Sequence, residues 1–378
     1  MALTDGRLHL RNRGNSQIST RGASYTLSFS LISSILYGVK FGFSPVYVIV
    51  PFLFICLLLV RFLYIRIDLP TILILPALAI GLLNNFELQG SSTNFLLSIL
   101  GYVFVLSWAQ RLSTERVINS ALLASYFVAS ILIADSIYRV LHPQAPTQEM
   151  RDVIEDRGQW FYLYKFGTQM FSDSNTTALI SLTWAAVVEY INKYSRHVNF
   201  YYRLVFPLIT LFTFSRSAIV GLAILYLFSM QGKKRLVYVA GLLGSGVILF
   251  NWITLLFETD GSATTKLQFL DWLLSAHEEI QTLHILFGYG LGSTEGVIGI
   301  FGHNILLTLL IDIGLIGLFF VLCSVLFSII KYPTTSVLIT PMAVTSLSYF
   351  LYDGAPFFTM PLALLAVLDM QRYQLRAC

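Results

Sequence analysis

Runs of roughly 15 to 22 apolar residues recur along this chain from one end to the other. They constrain its fold more than any other feature. Of the 378 residues, 56% are hydrophobic and 12% are charged. A water-soluble globular chain carries about twice that charge. The pattern therefore excludes a soluble domain and predicts an all-α polytopic membrane protein. Spans are expected near 24–39, 43–60, 69–83, 94–109, 117–138, 174–191, 199–214, 216–231, 236–257, 303–330, 334–351 and 355–371. That makes about 12 transmembrane helices in a single membrane domain over 1–378, with no soluble appendage. The net charge of +4 is small, and no nucleic-acid partner is expected.

The three cysteines give no disulfide framework and no metal-ligand spacing. The basic start (Arg7, Arg11, Arg13, Arg21) leads into an apolar run without a small-residue cleavage site, which predicts a retained first helix. The positive-inside rule then sets the sidedness. With the N-terminus inside, only Lys40, Arg139, Arg151, Arg157, Lys165, Arg216 and Lys266 fall on outer segments, and the other 17 of the 24 Lys and Arg fall inside. Both termini are expected in the cytoplasm. Two long outer loops, 141–173 and 258–302, carry aromatic residues such as Trp160 and Trp272. Loops longer than about 15 residues are usually functional or disordered, so the outer side is expected to hold the site. No internal repeat relates the two halves, which argues against the paired halves of many transporters.

Two residues stand out on that side. Arg216 lies in Thr213-Phe-Ser-Arg-Ser-Ala218, between two apolar runs too short to cross comfortably. Its turn is expected slightly below the outer surface, where an arginine is costly unless paired. It either binds the oxygens of a lipid diphosphate with its planar fork, or snorkels to the interface or pairs with an acid. His303 and Asn304 open an apolar run, His303–Phe320. The histidine either takes a proton from an acceptor hydroxyl near neutral pH or helps cap that helix. Together they suggest a membrane-embedded transferase working on a phosphate-linked lipid. Gly288, Gly290 and Gly292 read as a tight turn back to the membrane rather than a nucleotide fingerprint, since no βαβ unit surrounds them. Residues 148–157 read as a charged amphipathic helix. Lys165 stands among aromatic residues, and Asn175 is expected to cap the sixth span. Asp135 is expected to pair with Arg139 along one helix. Asp312 is expected where helices pack closely at Gly314 and Gly317.

These stretches resemble a family. Phe212-Thr-Phe-Ser-Arg-Ser-Ala218 is similar to the Ser-Arg motif of the O-antigen polymerase and O-antigen ligase superfamily. Phe287-Gly-Tyr-Gly-Leu-Gly292, Gly302-His-Asn304 and Asp312-Ile-Gly-Leu-Ile-Gly317 resemble its second signature, with Asp312 where the family usually has Glu. Lys165-Phe-Gly167 with Phe171-Ser-Asp-Ser-Asn175 resembles a stretch common in the polymerase branch. The motifs cover about 165–177 and 205–320, and the first 140 residues match in hydropathy alone. The resemblance implies a GT-C-like, metal-independent, inverting glycosyltransferase of a bacterial inner membrane, acting on its periplasmic side without a cofactor. A polymerase of this kind moves a growing glycan from undecaprenyl diphosphate to a new lipid-linked repeat unit. His303 would be the base and Arg216 the diphosphate ligand. Lys165, Asn175, Arg157, Asn304 and Gly290 would complete the substrate-binding set. Its expected partners are the undecaprenyl-diphosphate-linked oligosaccharide, membrane lipid and a chain-length regulator. The ligase branch, which delivers glycan to lipid A–core, is the close alternative. A multi-pass transporter or flippase is the alternative from another class.

Overall fold

The computed structural model describes residues 20–38, 44–61, 65–84, 90–144, 147–156, 163–166, 168, 170–171, 174–195, 197–230, 282–299, 304–347 and 355–377. Their regular elements are all helical. Helices α1 (Thr20–Ser33), α2 (Val46–Arg61), α3 (Leu69–Asn84), α4 (Gly90–Ala109) and α5 (Thr114–Leu141) come first. The short helices α6 (Gln148–Asp156) and α7 (Leu163–Phe166) fall in the first expected loop. Next come α8 (Ser174–Tyr194), α9 (Phe200–Phe212) and α10 (Arg216–Ser229). The short helices α11 (Thr282–Phe287) and α12 (Thr294–Ile298) end the second expected loop. The last three are α13 (Ile305–Lys331), α14 (Ser336–Ser346) and α15 (Pro356–Ala377). The span expected at 236–257 lies outside the described residues, and each other expected span overlaps a described helix. Among the described residues three helices are long and apolar enough to cross a membrane: Ser92–Ala109 within α4, then α5 and α13. Stretches in α2, α3, α9 and α10 are apolar but shorter.

Helix α8 is the axis of the bundle. Nearly every side chain from Thr176 to Ile191 is buried, including Trp184 and Tyr190. A helix enclosed on all sides needs apolar or small residues all round, and α8 supplies them. It packs against α5, α7, α9, α10, α14 and α15. A second, smaller apolar group joins Ala77 and Leu78 of α3, Phe95 of α4, Leu291, and Leu309 and Ile313 of α13. Outside, the apolar character continues. Leu315, Phe319, Leu322, Leu326 and Ile330 of α13 are all exposed and share one helical stripe. A stripe of that length suits hydrocarbon rather than water.

Two buried acids tie the ends of helices together. Asp68 precedes α3 and accepts from the Thr71 N–H at 3.1 Å and the Thr71 hydroxyl at 2.6 Å. Its other oxygen accepts from Tyr102 of α4 at 2.9 Å and from Tyr332, just after α13, at 3.1 Å. Burial, then the Asp68 carboxylate, push the Tyr332 phenol well above its usual range, so it remains a protonated donor. Glu189 of α8 is bidentate with Arg203 of α9, both bonds 2.9 Å. Bidentate geometry suits a carboxylate held away from water.

Candidate functional site

Arg216 is presented by a turn with an unusual backbone. Helix α9 ends at Phe212. The Thr213 N–H then bonds back to the Ile209 carbonyl at 3.1 Å, and the Thr213 hydroxyl to the Thr210 carbonyl at 2.6 Å. Phe214 follows with φ of 55°, the one non-glycine residue with positive φ among the described residues. That region costs a side chain such as Phe about 1 kcal/mol or more. The Ser215 N–H donates to the Thr213 hydroxyl at 3.2 Å, and α10 begins with Arg216. Arg216 therefore stands exposed at the first helical position. The N–H groups of the first turn of α10 lie beside it, and a helix start favours anions.

Neighbouring elements hold this turn in place. The Phe214 ring meets Tyr164 of α7 with centroids 6.5 Å apart. The buried Arg139 of α5 donates through Nη2 to the Phe212 carbonyl at 3.1 Å. Its helix neighbour Asp135 accepts from the Met170 N–H at 3.2 Å. Gly221 lets α10 sit close, because a Cβ there would run into Thr345 of α14 and Leu182 of α8. Lys165 lies on α7 beside Tyr164 and is half-buried. Helix α7 packs on both α5 and α8. Asn175 is the second residue of α8 rather than its cap, because the helix begins at Ser174. Arg216, Lys165 and Asn175 thus sit on elements that meet at one end of the bundle. Helix α6 is the charged surface helix expected, with Arg151 and Glu155 at 2.8 Å one turn apart.

The second motif builds its own cluster. Helix α13 breaks at Gly314 (φ 66°, ψ −174°). Near the break the Ile311 carbonyl accepts from the Tyr289 N–H at 2.9 Å and the Asp312 carbonyl from the Gly290 N–H at 2.8 Å. The fully buried Asp312 carboxylate accepts from the Gly292 and Thr294 N–H groups, both at 2.9 Å, and from the Thr294 hydroxyl at 2.6 Å. Gly288, Gly290 and Gly292 all have positive φ, as a tight turn requires. The Gly290 amide therefore serves the loop. Asn304 caps α13, its side chain accepting from the Leu306 and Leu307 N–H groups at 3.0 and 3.3 Å. This cluster packs on α3, while α14 packs on both α10 and α13. His303 and Arg157 lie outside the described residues.

The sequence reading treated Asp312 as a packing feature, and its role as the anchor of the glycine loop emerges only from the fold. Asp68 and Glu189 went unremarked, although each is an acid beside or within an apolar run, a signal that calls for a partner. Among the described residues no group of three or more His, Cys, Asp or Glu gathers as a metal site would require. No family model matches the chain, and neither a curated protein nor a solved structure is significantly similar to it.

Proposed function

We propose that this chain is a polysaccharide polymerase of the O-antigen type, embedded by about twelve helices in a bacterial inner membrane and active on the periplasmic side. It transfers a growing glycan from undecaprenyl diphosphate to a new lipid-linked repeat unit with inversion. The observation that carries the reading is the Arg216 turn: a strained, multiply held backbone that sets a guanidinium at a helix start, on an element adjoining that of Lys165. Two cations and a helix N-terminus at one end of a bundle suit the oxygens of a diphosphate. The helices before and after that turn span 13 and 14 residues. Each is about 20 Å long, shorter than a hydrocarbon core of about 30 Å. Their turn therefore lies below the outer surface, where water is scarce and charge–charge attraction is strong.

The chemistry is a single displacement. An acceptor hydroxyl of the incoming repeat unit attacks the anomeric carbon of the donor glycan. A new C–O bond forms as the bond to the diphosphate oxygen breaks, and its electron pair leaves with that oxygen. His303 takes the hydroxyl proton. Arg216 stabilises the charge that grows on the leaving diphosphate, the work a metal ion does elsewhere. Lys165, Asn175 and Arg157 contact phosphate or glycan. Asn304 and Gly290 act indirectly, one by capping α13 beside His303 and the other by shaping the glycine loop.

The test is reconstitution of the purified chain with one lipid-linked repeat unit and no other protein. A ladder of products is expected. Product formed only when lipid A–core is added would make the chain a ligase. Absence of product from both would overturn the transferase reading in favour of a transporter or flippase.

A further inference from the structure

Arg139 is 1% exposed and one of the largest fully buried side chains of the bundle, yet its hydrogen bonding is incomplete. Nη2 reaches the Phe212 carbonyl, but among the described residues Nε and Nη1 have no hydrogen-bond partner. The hydroxyl of Ser136, one turn earlier on α5, is buried without a partner as well. A serine can turn its proton either way, so an orphaned hydroxyl says little. A guanidinium can only donate. Asp135, one turn earlier, attracts the Arg139 charge without a hydrogen bond to Nε or Nη1, so among the described residues these two buried donors meet no acceptor.

Stability does not explain the residue. Taking a guanidinium out of water is expensive, and one neutral hydrogen bond with the attraction of Asp135 leaves two of its three nitrogens unbonded. An apolar side chain of similar volume would serve α5 better. Location gives the missing reason. The single bond Arg139 makes is to the last residue of α9, two residues before the strained Phe214 and four before Arg216. The same end of the bundle carries Lys165 on α7, which packs on α5. Ser174 opens α8 there, and its buried hydroxyl too lacks a partner.

Resting on the reading of Arg216 as a diphosphate ligand, we propose that Arg139 is a second oxyanion-binding residue of that site, which holds the Phe212–Arg216 turn through Nη2 and offers Nε and Nη1 to a phosphate oxygen. The two arginines then lie on opposite sides of one turn. Arg216 meets the ligand from the exposed side, and Arg139 from within. The fork of a guanidinium is matched to this double duty, since one nitrogen can hold the protein while the other two hold the ligand.

The probe is inorganic pyrophosphate, titrated into the purified full chain in lipid nanodiscs, with thermal unfolding followed in parallel. Arg139→Gln keeps an amide donor and loses the charge. Arg139→Met fills the volume with no donor. Both are expected to unfold at or above the wild-type temperature and to bind pyrophosphate about ten- to a hundredfold more weakly, the worth of a lost bond to a charged group. Unchanged affinity in either variant would overturn the proposal. So would a lower unfolding temperature with affinity intact, the mark of a plain strut. If neither variant accumulates, Arg139→Lys keeps the charge without the fork. It is expected to bind more weakly, and wild-type affinity would equally end the idea. The two readings fail separately. Arg139-dependent pyrophosphate binding in a protein that makes no polymer supports the oxyanion role and sinks the polymerase. Polymer made at the wild-type rate by Arg139→Gln does the reverse.

Discussion

Arg216 is the residue at which charge and shape can be told apart. Lysine keeps the charge and loses the planar fork. If the guanidinium grips the leaving diphosphate, its contacts strengthen as charge develops, so they lower the barrier rather than only tightening binding. Arg216→Lys is expected to lose most turnover while the protein still inserts, and Arg216→Ala to be at least as poor. A snorkelling arginine gives another result, because lysine snorkels equally well. Wild-type polymer from the lysine variant in a reconstituted assay would remove the bidentate role. For His303 the expected cost is in turnover. His303→Ala should bind lipid-linked substrate normally and turn it over about 10²-fold more slowly, the usual worth of a general base. Normal turnover would leave it a residue beside the Asn304 cap. The Arg216 turn was legible in the sequence, because an arginine between two short apolar runs is a local anomaly, whereas His303 lies outside the described residues. The support behind Arg216 was not legible. The Arg139–Phe212 bond joins positions 73 residues apart, and no spacing rule links an arginine to a distant carbonyl.

At the scale of elements, the glycine loop and the broken α13 are one device made of two segments. The break turns two carbonyls toward the loop, the loop's N–H groups take them, and Asp312 takes two more. Gly288 and Gly314 lie backbone to backbone across this junction, and a Cβ on either would run into the other segment's main chain. Gly314→Ala is therefore expected to destabilise the protein by at least ~2 kcal/mol, since the backbone conformation and the contact both forbid it. Asp312→Asn swaps an acceptor oxygen for a donor that faces N–H groups, at a cost of about 1–3 kcal/mol. Thermal unfolding in detergent measures both, and a wild-type midpoint for either variant would mean that the junction is not needed. The sequence showed the glycines as a turn and Asp312 as an acid in an apolar helix. It did not show that one answers the other, because the apolar run of α13 continues through Gly314. A helix interruption stabilised by a partner loop leaves no mark in hydropathy. The short α9–α10 hairpin, by contrast, was visible as two apolar runs too short to cross comfortably on either side of Arg216.

For the whole molecule, the expected map of apolar spans and the described helices overlap along most of the chain, because burial in lipid and burial in protein demand the same composition. That is also why the sequence could not pick out α8 as the enclosed axis. Sidedness comes from the placement of Lys and Arg and is open to direct measurement. In a background lacking Cys56, Cys323 and Cys378, Glu155→Cys and Ser275→Cys are expected to react with an impermeant thiol reagent applied to intact spheroplasts. Lys234→Cys is expected to stay unlabelled until the membrane is opened. Labelling of position 234 from outside would invert the map and carry Arg216 to the cytoplasmic face.

The knot at Asp68 has a consequence for biogenesis. Its partners arrive at very different times: Thr71 with the same helix, Tyr102 on the next, and Tyr332 only 264 residues later. At about 5–20 residues per second, that interval is roughly 13 to 50 seconds of synthesis. Throughout it the carboxylate lacks one of its three side-chain partners. Helix α3 packs chiefly on α13, so its contacts too are completed only once that later helix has been made. Nascent chains stopped before that point carry a half-fastened helix, and they are the species that quality-control proteases would meet first.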